Sequence, residues 1–398
     1  MAAPTQGFPH GLLRRSKRAR LDYFAAYTIG HAIIVEALDA VLHAITQPID
    51  TWPPVILVIG PAGVGKTTLI RAVERELTRR LSREIAANPG RLPSVSIASD
   101  VPESGSFNWK EFCLLGLDAM NEPLVAQKVY LPPLEPMTAD VPSVLTSRTP
   151  ATALRRALVT ALIHRAPAAF LIDEAQQMAM IAGSRKLQHQ MDYIKRLADA
   201  TRVPPVLVGN YGLCLLRNQS AQLGRRTREI HVRRYDATRP HHATDFQDIV
   251  LSFQYHLPLA KQPDLIADWE YLYLRSVGCI GLLKQWLPGT LWVSLDRAVE
   301  VGVATITRAD LERTAPPPSK SKKVLEEALD GEAKLAELDP EADPRAAEAE
   351  LRSLLRLAPV PPPPSVATRS PANAHRRRPG ERKPVRDPVG PEGVEVAG

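Results

Sequence analysis

Residues 60–67 read GPAGVGKT and follow the apolar run VILVIG at 55–60. This is a complete G-x-x-x-x-G-K-[ST] loop between a strand and a helix, the setting that the motif requires. Few backbones accommodate it. Gly60, Gly63 and Gly65 let the chain fold round an anion, while Pro61, Ala62 and Val64 fill the turn and Thr68 extends the first helical turn. The loop amides and the helix N-terminus then point at phosphate. Lys66 is placed to reach the β- and γ-phosphates, and the Thr67 hydroxyl to ligate Mg²⁺. The expected ligands are therefore ATP and Mg²⁺.

A loop of this kind sits on a parallel α/β sheet, and the surrounding pattern agrees. Short apolar runs at 55–60, 94–98 (SVSIA), 168–173 (AAFLID) and 205–209 (PVLVG) alternate with amphipathic helical stretches. Such alternation predicts a parallel sheet flanked by helices. A helix is expected from about 24 to 47, and residues 242–314 read as helical throughout. The spacing divides the 398 residues into a basic arm (1–23, with RRSKRAR at 14–20), a P-loop domain (24–235), a helical lid (236–314) and a tail (315–398). The tail opens on PPPSKSKK and ends on a basic, Pro-rich stretch. Between them lies a helix-prone segment at 324–357, with ten acidic and two basic residues over 324–350. Such a tail cannot bury a core, so it is expected to be largely disordered apart from that helix.

The bulk numbers narrow the class. Hydrophobic residues make up 44% of the chain, enough for a substantial core, and the net charge of +7 favours an acidic partner such as nucleic acid. Cys113, Cys214 and Cys279 are far apart, with no metal or disulfide spacing, which fits a reducing cytoplasm. The apolar run at 25–45 is interrupted by His31, Glu36, Asp39 and His43, so no membrane span is expected.

FLIDEAQQM at 170–178 supplies the second part of a nucleotide site. Asp173 ends a buried strand, where open α/β sheets bind ligands, and is expected to hold Mg²⁺ through water. Glu174 follows it and can polarise an attacking water, so the acidic pair argues for hydrolysis. Asn210 ends the strand PVLVG and can position that water, or simply start a turn. Residues 216–235, LRNQSAQLGRRTREIHVRRY, hold six arginines and no lysine. A helix over 212–224 would carry Arg225 and Arg226 to the domain edge. In an oligomeric ATPase that edge faces the next subunit's nucleotide, and an arginine there can stabilise transition-state charge in trans. Arg233 and Arg234 fall in EIHVRRY, which reads as a short strand.

The order of P-loop, FLIDEAQQM, QMDYIKRLAD, VPPVLVGNYGLCLLRNQSAQLGRRTREIHVRRY and GCIGLLKQWL resembles the TnsC/TniB group of AAA+ ATPases over about residues 30–300. These are target-selection regulators of cut-and-paste transposons. The block from QMDYIK to RRY, with GCIGLLK after it, is the specific part. The resemblance implies an AAA+ fold with a small helical lid. It implies ATP-dependent assembly as a homo-oligomeric ring or helical filament on double-stranded DNA. It also implies partnership with a target-selecting protein and the transposase subunits, in the bacterial cytoplasm on DNA. It gives Asp173 and Glu174 the metal and water roles, Asn210 the sensor role, and Arg225 or Arg226 the trans finger. One position departs from the pattern. Many relatives carry a lid arginine where this chain has Gly281, and the next basic residue is Lys284, to which a γ-phosphate contact or a solvated place falls.

Contacts to DNA are expected to be mostly with phosphates, since no base-reading module is evident. PESGSFNWKEF, after the 94–98 strand, is a candidate pore element, with Trp109 and Lys110 as candidate DNA contacts and core packing as the alternative for Trp109. The basic arm can add non-specific affinity or serve as an unstructured solubilising end. Two other readings stand beside the transposition regulator: a replication-initiator or helicase-loader ATPase, and a nucleotide switch in signalling or secretion. A nucleotide kinase fits less well, because no acceptor-substrate pocket is suggested.

Overall fold

The computed structural model describes residues 7–47, 52–99, 107–122, 151–179, 184–217, 227–301 and 303–338. All belong to the first of two units, Met1–Asp339 and Pro340–Gly398. Five parallel strands form one sheet: β1 (Val55–Ile59), β2 (Val95–Ala98), β3 (Phe170–Asp173), β4 (Pro205–Gly209) and β5 (Thr227–His231). Their order is β2-β3-β4-β1-β5.

Position in the sheet explains the composition of each strand. β1 and β4 lie inside, with both faces covered, and every residue in them is buried. β2 and β5 are edges with interrupted burial, and TREIH buries only Ile230. The pleat sends alternate residues of β1 to opposite layers. Val55, Leu57 and Ile59 join one cluster with Phe112, Leu158, Phe170 and Ile194, from helices Trp109–Ala119, Ala151–Arg165 and Ser184–Thr201 and from β3. Ile56 and Val58 join another with Val41, Leu69 and Val73, from helices Ala32–Thr46 and Lys66–Arg80. Each fully buried Leu, Val, Ile or Phe contributes about 1.5–3 kcal/mol, so these two layers hold the strand tips in fixed register.

The stretch at 24–47 is not one helix. Lys17–Ala26 ends at Tyr27, and a second helix starts at Ala32. The first helix belongs to the lid core, where Phe24 is fully buried beside Phe246, Phe253, Leu283 and Leu287. The basic segment at 14–20 is accordingly engaged over its last residues. Arg20 donates to the Pro258 carbonyl, and Lys17 pairs with Asp296 and lies over the Trp292 ring. The boundary drawn at residue 23 falls inside this helix.

The lid comprises helices Pro240–His256, Trp269–Ser276, Ile280–Val301 and Arg308–Thr314. A further helix, Pro318–Leu338, covers the early part of the segment expected at 324–357 and begins six residues sooner; the remainder of that range lies outside the described residues. It docks on the body through residues on one helical face. Ala328 is fully buried, Glu332 pairs with Arg234 at 3.1 Å, and Leu335 packs on the sheet's core. Gly331 meets the Tyr211 ring so closely that a Cβ would lie 2.1 Å from it. Among the described residues no helix is long and apolar enough to cross a membrane.

The lid is tied to the sheet domain at Gly278, which has φ +75° and donates no side chain to the contact. Its carbonyl accepts from the Tyr235 amide, and a Cβ there would lie 2.0 Å from the Tyr235 carbonyl oxygen. Gly278→Ala is expected to lower stability by about 2 kcal/mol or more in urea denaturation. Gly11→Ala, where the added carbon meets nothing beyond its own neighbours in the chain, is the control that does not lower stability.

Candidate nucleotide-binding site

The sheet brings the tips of β1, β3 and β4 to one edge, and the P-loop leaves from the first of them. Gly60 continues the ladder by donating to the Gly209 carbonyl at 3.2 Å. The loop then needs left-handed backbone at Gly63 (φ +73°) and Gly65 (φ +114°), which glycine adopts without strain. Gly65 caps helix Lys66–Arg80 without any side-chain acceptor, so the first-turn amides are available to an anion.

Lys66 folds back over this loop, donating to the carbonyls of Gly60 and Pro61, each at 2.9 Å. Burial lowers its pKa, while Glu174 and Asp173 act in the opposite sense. The Thr67 hydroxyl donates to Asp173 Oδ2 at 3.0 Å, so the two expected metal-site residues are adjacent. Both offer hard oxygen atoms. Among the described residues there is no group of three or more His, Cys, Asp and Glu side chains able to hold a metal. A cation here would therefore take most of its ligands from phosphate and water, which suits Mg²⁺.

Glu174 follows with φ +52°, and its amide donates to Asp173 Oδ1 at 2.9 Å. The turn Ala175–Met178 anchors it through the buried Ala175 and Met178. Asn210 stands at the end of β4, where its Oδ1 accepts from the Gly212 amide at 2.9 Å. That bond is a turn cap, so the side-chain carbonyl serves the backbone and the whole residue is fixed beside the Glu174 turn. Of the expected helix over 212–224, the residues up to 217 form a short 3₁₀ turn, Tyr211–Leu213, and a helix, Cys214–Arg217, and 218–224 lie outside the described residues. Arg225 and Arg226 lie outside the described residues.

The lid closes the other side. Gly281 approaches the loop so nearly that a Cβ on it would sit 2.4 Å from the Gly63 carbonyl oxygen. That contact explains the departure noted above: a side chain at 281 has no room against the loop. Lys284, one turn on, does not extend freely. Its ammonium donates to the Phe24 carbonyl and lies 4.1 Å from the Phe24 ring centroid. Burial lowers its pKa to about 8. It lines a pocket with Tyr27, Phe253, Ile280, Gly65 and Thr68. The sequence does not reveal this pocket, because the break at 27–31 and the lid helix that wall it carry no local signature that brings them to the P-loop. An apolar, aromatic recess beside the P-loop is suited to a nucleobase.

Trp109 is drawn into packing. Its ring lies 3.9 Å from the Tyr193 centroid and also meets Phe107 and Phe112. Lys110 follows it in the first turn of a helix capped by Asn108. Arg234, one of the six arginines, is buried on Glu332, while Arg233 is exposed.

His31, in the same pocket, is buried with Nδ1 3.0 Å from the Tyr235 hydroxyl. Burial lowers its pKa from 6.5 to about 4. An unfolded chain takes up this proton near 6.5 and the folded chain resists until about 4, so His31 makes stability fall as pH drops through that interval. His31→Phe is expected to flatten the loss of stability over that window, measured by urea titrations at a series of pH values. An unchanged slope would contradict the neutral, buried ring.

No curated protein matches the chain. Among solved structures, the ORC2 protein of Aeropyrum pernix in its ADPNP–ADP complexes shares 14% identity at a TM-score of 0.45, covering 76% of this chain and 71% of its own. The ORC1 protein of Aeropyrum pernix in complex with DNA shares 15% at 0.45, covering 75% and 68%. The Walker-type ATPase PABY2304 of Pyrococcus abyssi shares 16% at 0.41, covering 82% and 85%. Residues 52–215, which contain the P-loop, the Asp173–Glu174 pair and Asn210, match the family model described as an AAA domain, and the chain has the AAA+ P-loop ATPase fold.

Proposed function

We propose that the protein is an ATP-dependent, DNA-binding AAA+ regulator of DNA transposition. On this reading it hydrolyses ATP to ADP and phosphate, assembles as a homo-oligomer on duplex DNA and links a target-selecting protein to the transposase. The observation that carries the chemistry is the Thr67–Asp173 hydrogen bond at 3.0 Å with Glu174 next in the chain. It gathers a metal position and a water-orienting carboxylate at the mouth of the P-loop. The resemblance of the block from QMDYIK to RRY, followed by GCIGLLK, carries the biological role.

In this mechanism the loop amides and Lys66 hold the β- and γ-phosphates. Thr67 and Asp173 would hold a Mg²⁺ ion, which would supply charge neutralisation to the phosphate oxygens when bound. Glu174 orients the attacking water and draws its proton, and Asn210 helps to fix that water beside the γ-phosphate. Lys284 holds the base side of the nucleotide rather than its γ-phosphate, since its amine is tied to Phe24. Arg225 or Arg226 enters the neighbouring subunit's site and stabilises transition-state charge, an effect worth about 10³-fold or more in such enzymes. The net charge of +7 favours a DNA partner recognised through its backbone.

Electron microscopy with duplex DNA tests the reading. Rings or filaments are expected with a non-hydrolysable ATP analogue and not with ADP, and are expected to be lost on Lys66→Ala and on Arg225→Ala or Arg226→Ala. Glu174→Gln should keep ATP-dependent assembly while slowing hydrolysis by about a hundredfold or more. Assembly with the analogue but indifferent to DNA would favour the signalling-switch reading. Absence of any nucleotide-dependent assembly, despite ATP binding, would overturn the proposal.

A further inference from the structure

Gln176 lies two residues beyond the acidic pair and is 5% exposed. A buried carboxamide requires partners at both ends. Its Oε1 accepts from the Asn210 backbone amide at 3.2 Å, and its Nε2 donates to Glu174 Oε2. The chemistry fixes this orientation. The Asn210 N–H can only donate, so it must meet the amide oxygen, which leaves the NH₂ to face the carboxylate.

The neighbourhood is built round this side chain. A Cβ at Gly209 would lie 2.3 Å from Gln176 Oε1, and one at Gly212 would lie 3.2 Å from Gln176 Cβ. Two glycines therefore flank Asn210 where the amide passes. Glu174 itself holds a left-handed backbone, φ +52°, which a non-glycine residue keeps only when its surroundings enforce it. The turn below is closed by Ala179 donating to the Gln176 carbonyl at 2.8 Å.

We propose that Gln176 is a positioning residue for hydrolysis: it clamps the Glu174 carboxylate to the end of β4, so that the water-orienting group and Asn210 move as one. This rests on the proposed ATPase reading, in which Glu174 orients the water. A group that orients water must be held to a fraction of an ångström, and a misplacement of about 1 Å can cost a hundredfold in rate. The described hydrogen bonds of Lys66 and Thr67 go to Gly60, Pro61 and Asp173 and not to Gln176, so its replacement is expected to leave nucleotide affinity largely intact.

The test compares Gln176→Met, Gln176→Glu and Glu174→Gln in the full chain with duplex DNA present. The readings are steady-state kcat and KM for ATP, the Kd of a fluorescent ADP analogue, and the melting temperature. Gln176→Met keeps the volume and removes both bonds. Gln176→Glu keeps the acceptor for Asn210 but loses the donor and sets a second carboxylate against Glu174. Both are expected to lower kcat about tenfold or more while the Kd stays within about twofold, and Gln176→Glu, which buries a second carboxylate beside Glu174, should melt below the wild type while still unfolding cooperatively. A support for the β4 turn alone would be preserved in Gln176→Glu, so wild-type turnover by that variant, with Glu174→Gln slow, overturns the inference and leaves the ATPase reading standing. Loss of nucleotide affinity in step with rate also overturns it. Wild-type turnover by Glu174→Gln would remove the ATPase role of Glu174 itself, and the clamp with it.

Discussion

A hydroxyl and a carboxylate 106 positions apart in the chain, Thr67 and Asp173, meet at 3.0 Å, and most of the architecture serves that meeting. Thr67 is set by the first turn of a helix whose loop leaves β1. Asp173 is the last residue of β3. The two strands are not neighbours, since β4 lies between them. Their tips stay level because each is in parallel register with β4, Ile59 with Gly209 on one side and Ile172 with Leu207 on the other. The buried layers on both faces oppose a slip, because each is close-packed round its own set of side chains and a one-residue shift would exchange the two sets.

Close backbone approach recurs around the site. Gly60 runs against Val232, Gly209 makes way for Gln176, Gly278 sits on Tyr235, and Gly331 of the last described helix meets Tyr211. Each contact joins two separate elements, so the sheet domain, the lid and the helix Pro318–Leu338 are held by approaches that side chains would block. Polar ties then fix the angles: Arg234 with Glu332, the Tyr235 amide with Gly278, and Lys284 with Phe24.

The P-loop side of the candidate site is legible in the sequence and the lid side is not. The reason is locality. The P-loop and FLIDE each state their geometry within a few residues, and β1 and β4 appear as apolar runs because both their faces are covered. β5 was harder, since an edge strand with one buried residue leaves little pattern. The break at 27–31, YTIGH, contains Gly30, a weak helix former, but apolar residues on both sides of it keep a helical spacing and mask the stop. The pocket beside Thr68 draws on Tyr27, Phe253 and Lys284, whose proximity is a property of the fold alone. Gln176 was visible as a letter in FLIDEAQQM, yet its partner is a backbone amide 34 residues on. The sequence places Lys284 as the next basic residue after Gly281 but does not show Phe24, 260 residues earlier in the chain, whose carbonyl accepts its hydrogen bond.

The meeting of Gly63 and Gly281 is a joint without a cushion. Where a side chain separates two elements, a small displacement is absorbed by rotation about its bonds. Here a peptide carbonyl lies where a methyl group would be, and peptide planes do not rotate cheaply. Gly281 is also the second residue of a helix of 22 residues, Ile280–Val301, about 33 Å long. A fractional shift of the loop is therefore passed straight into the first turns of that helix, as far as Pro288, the position inside it where a helix bends most readily.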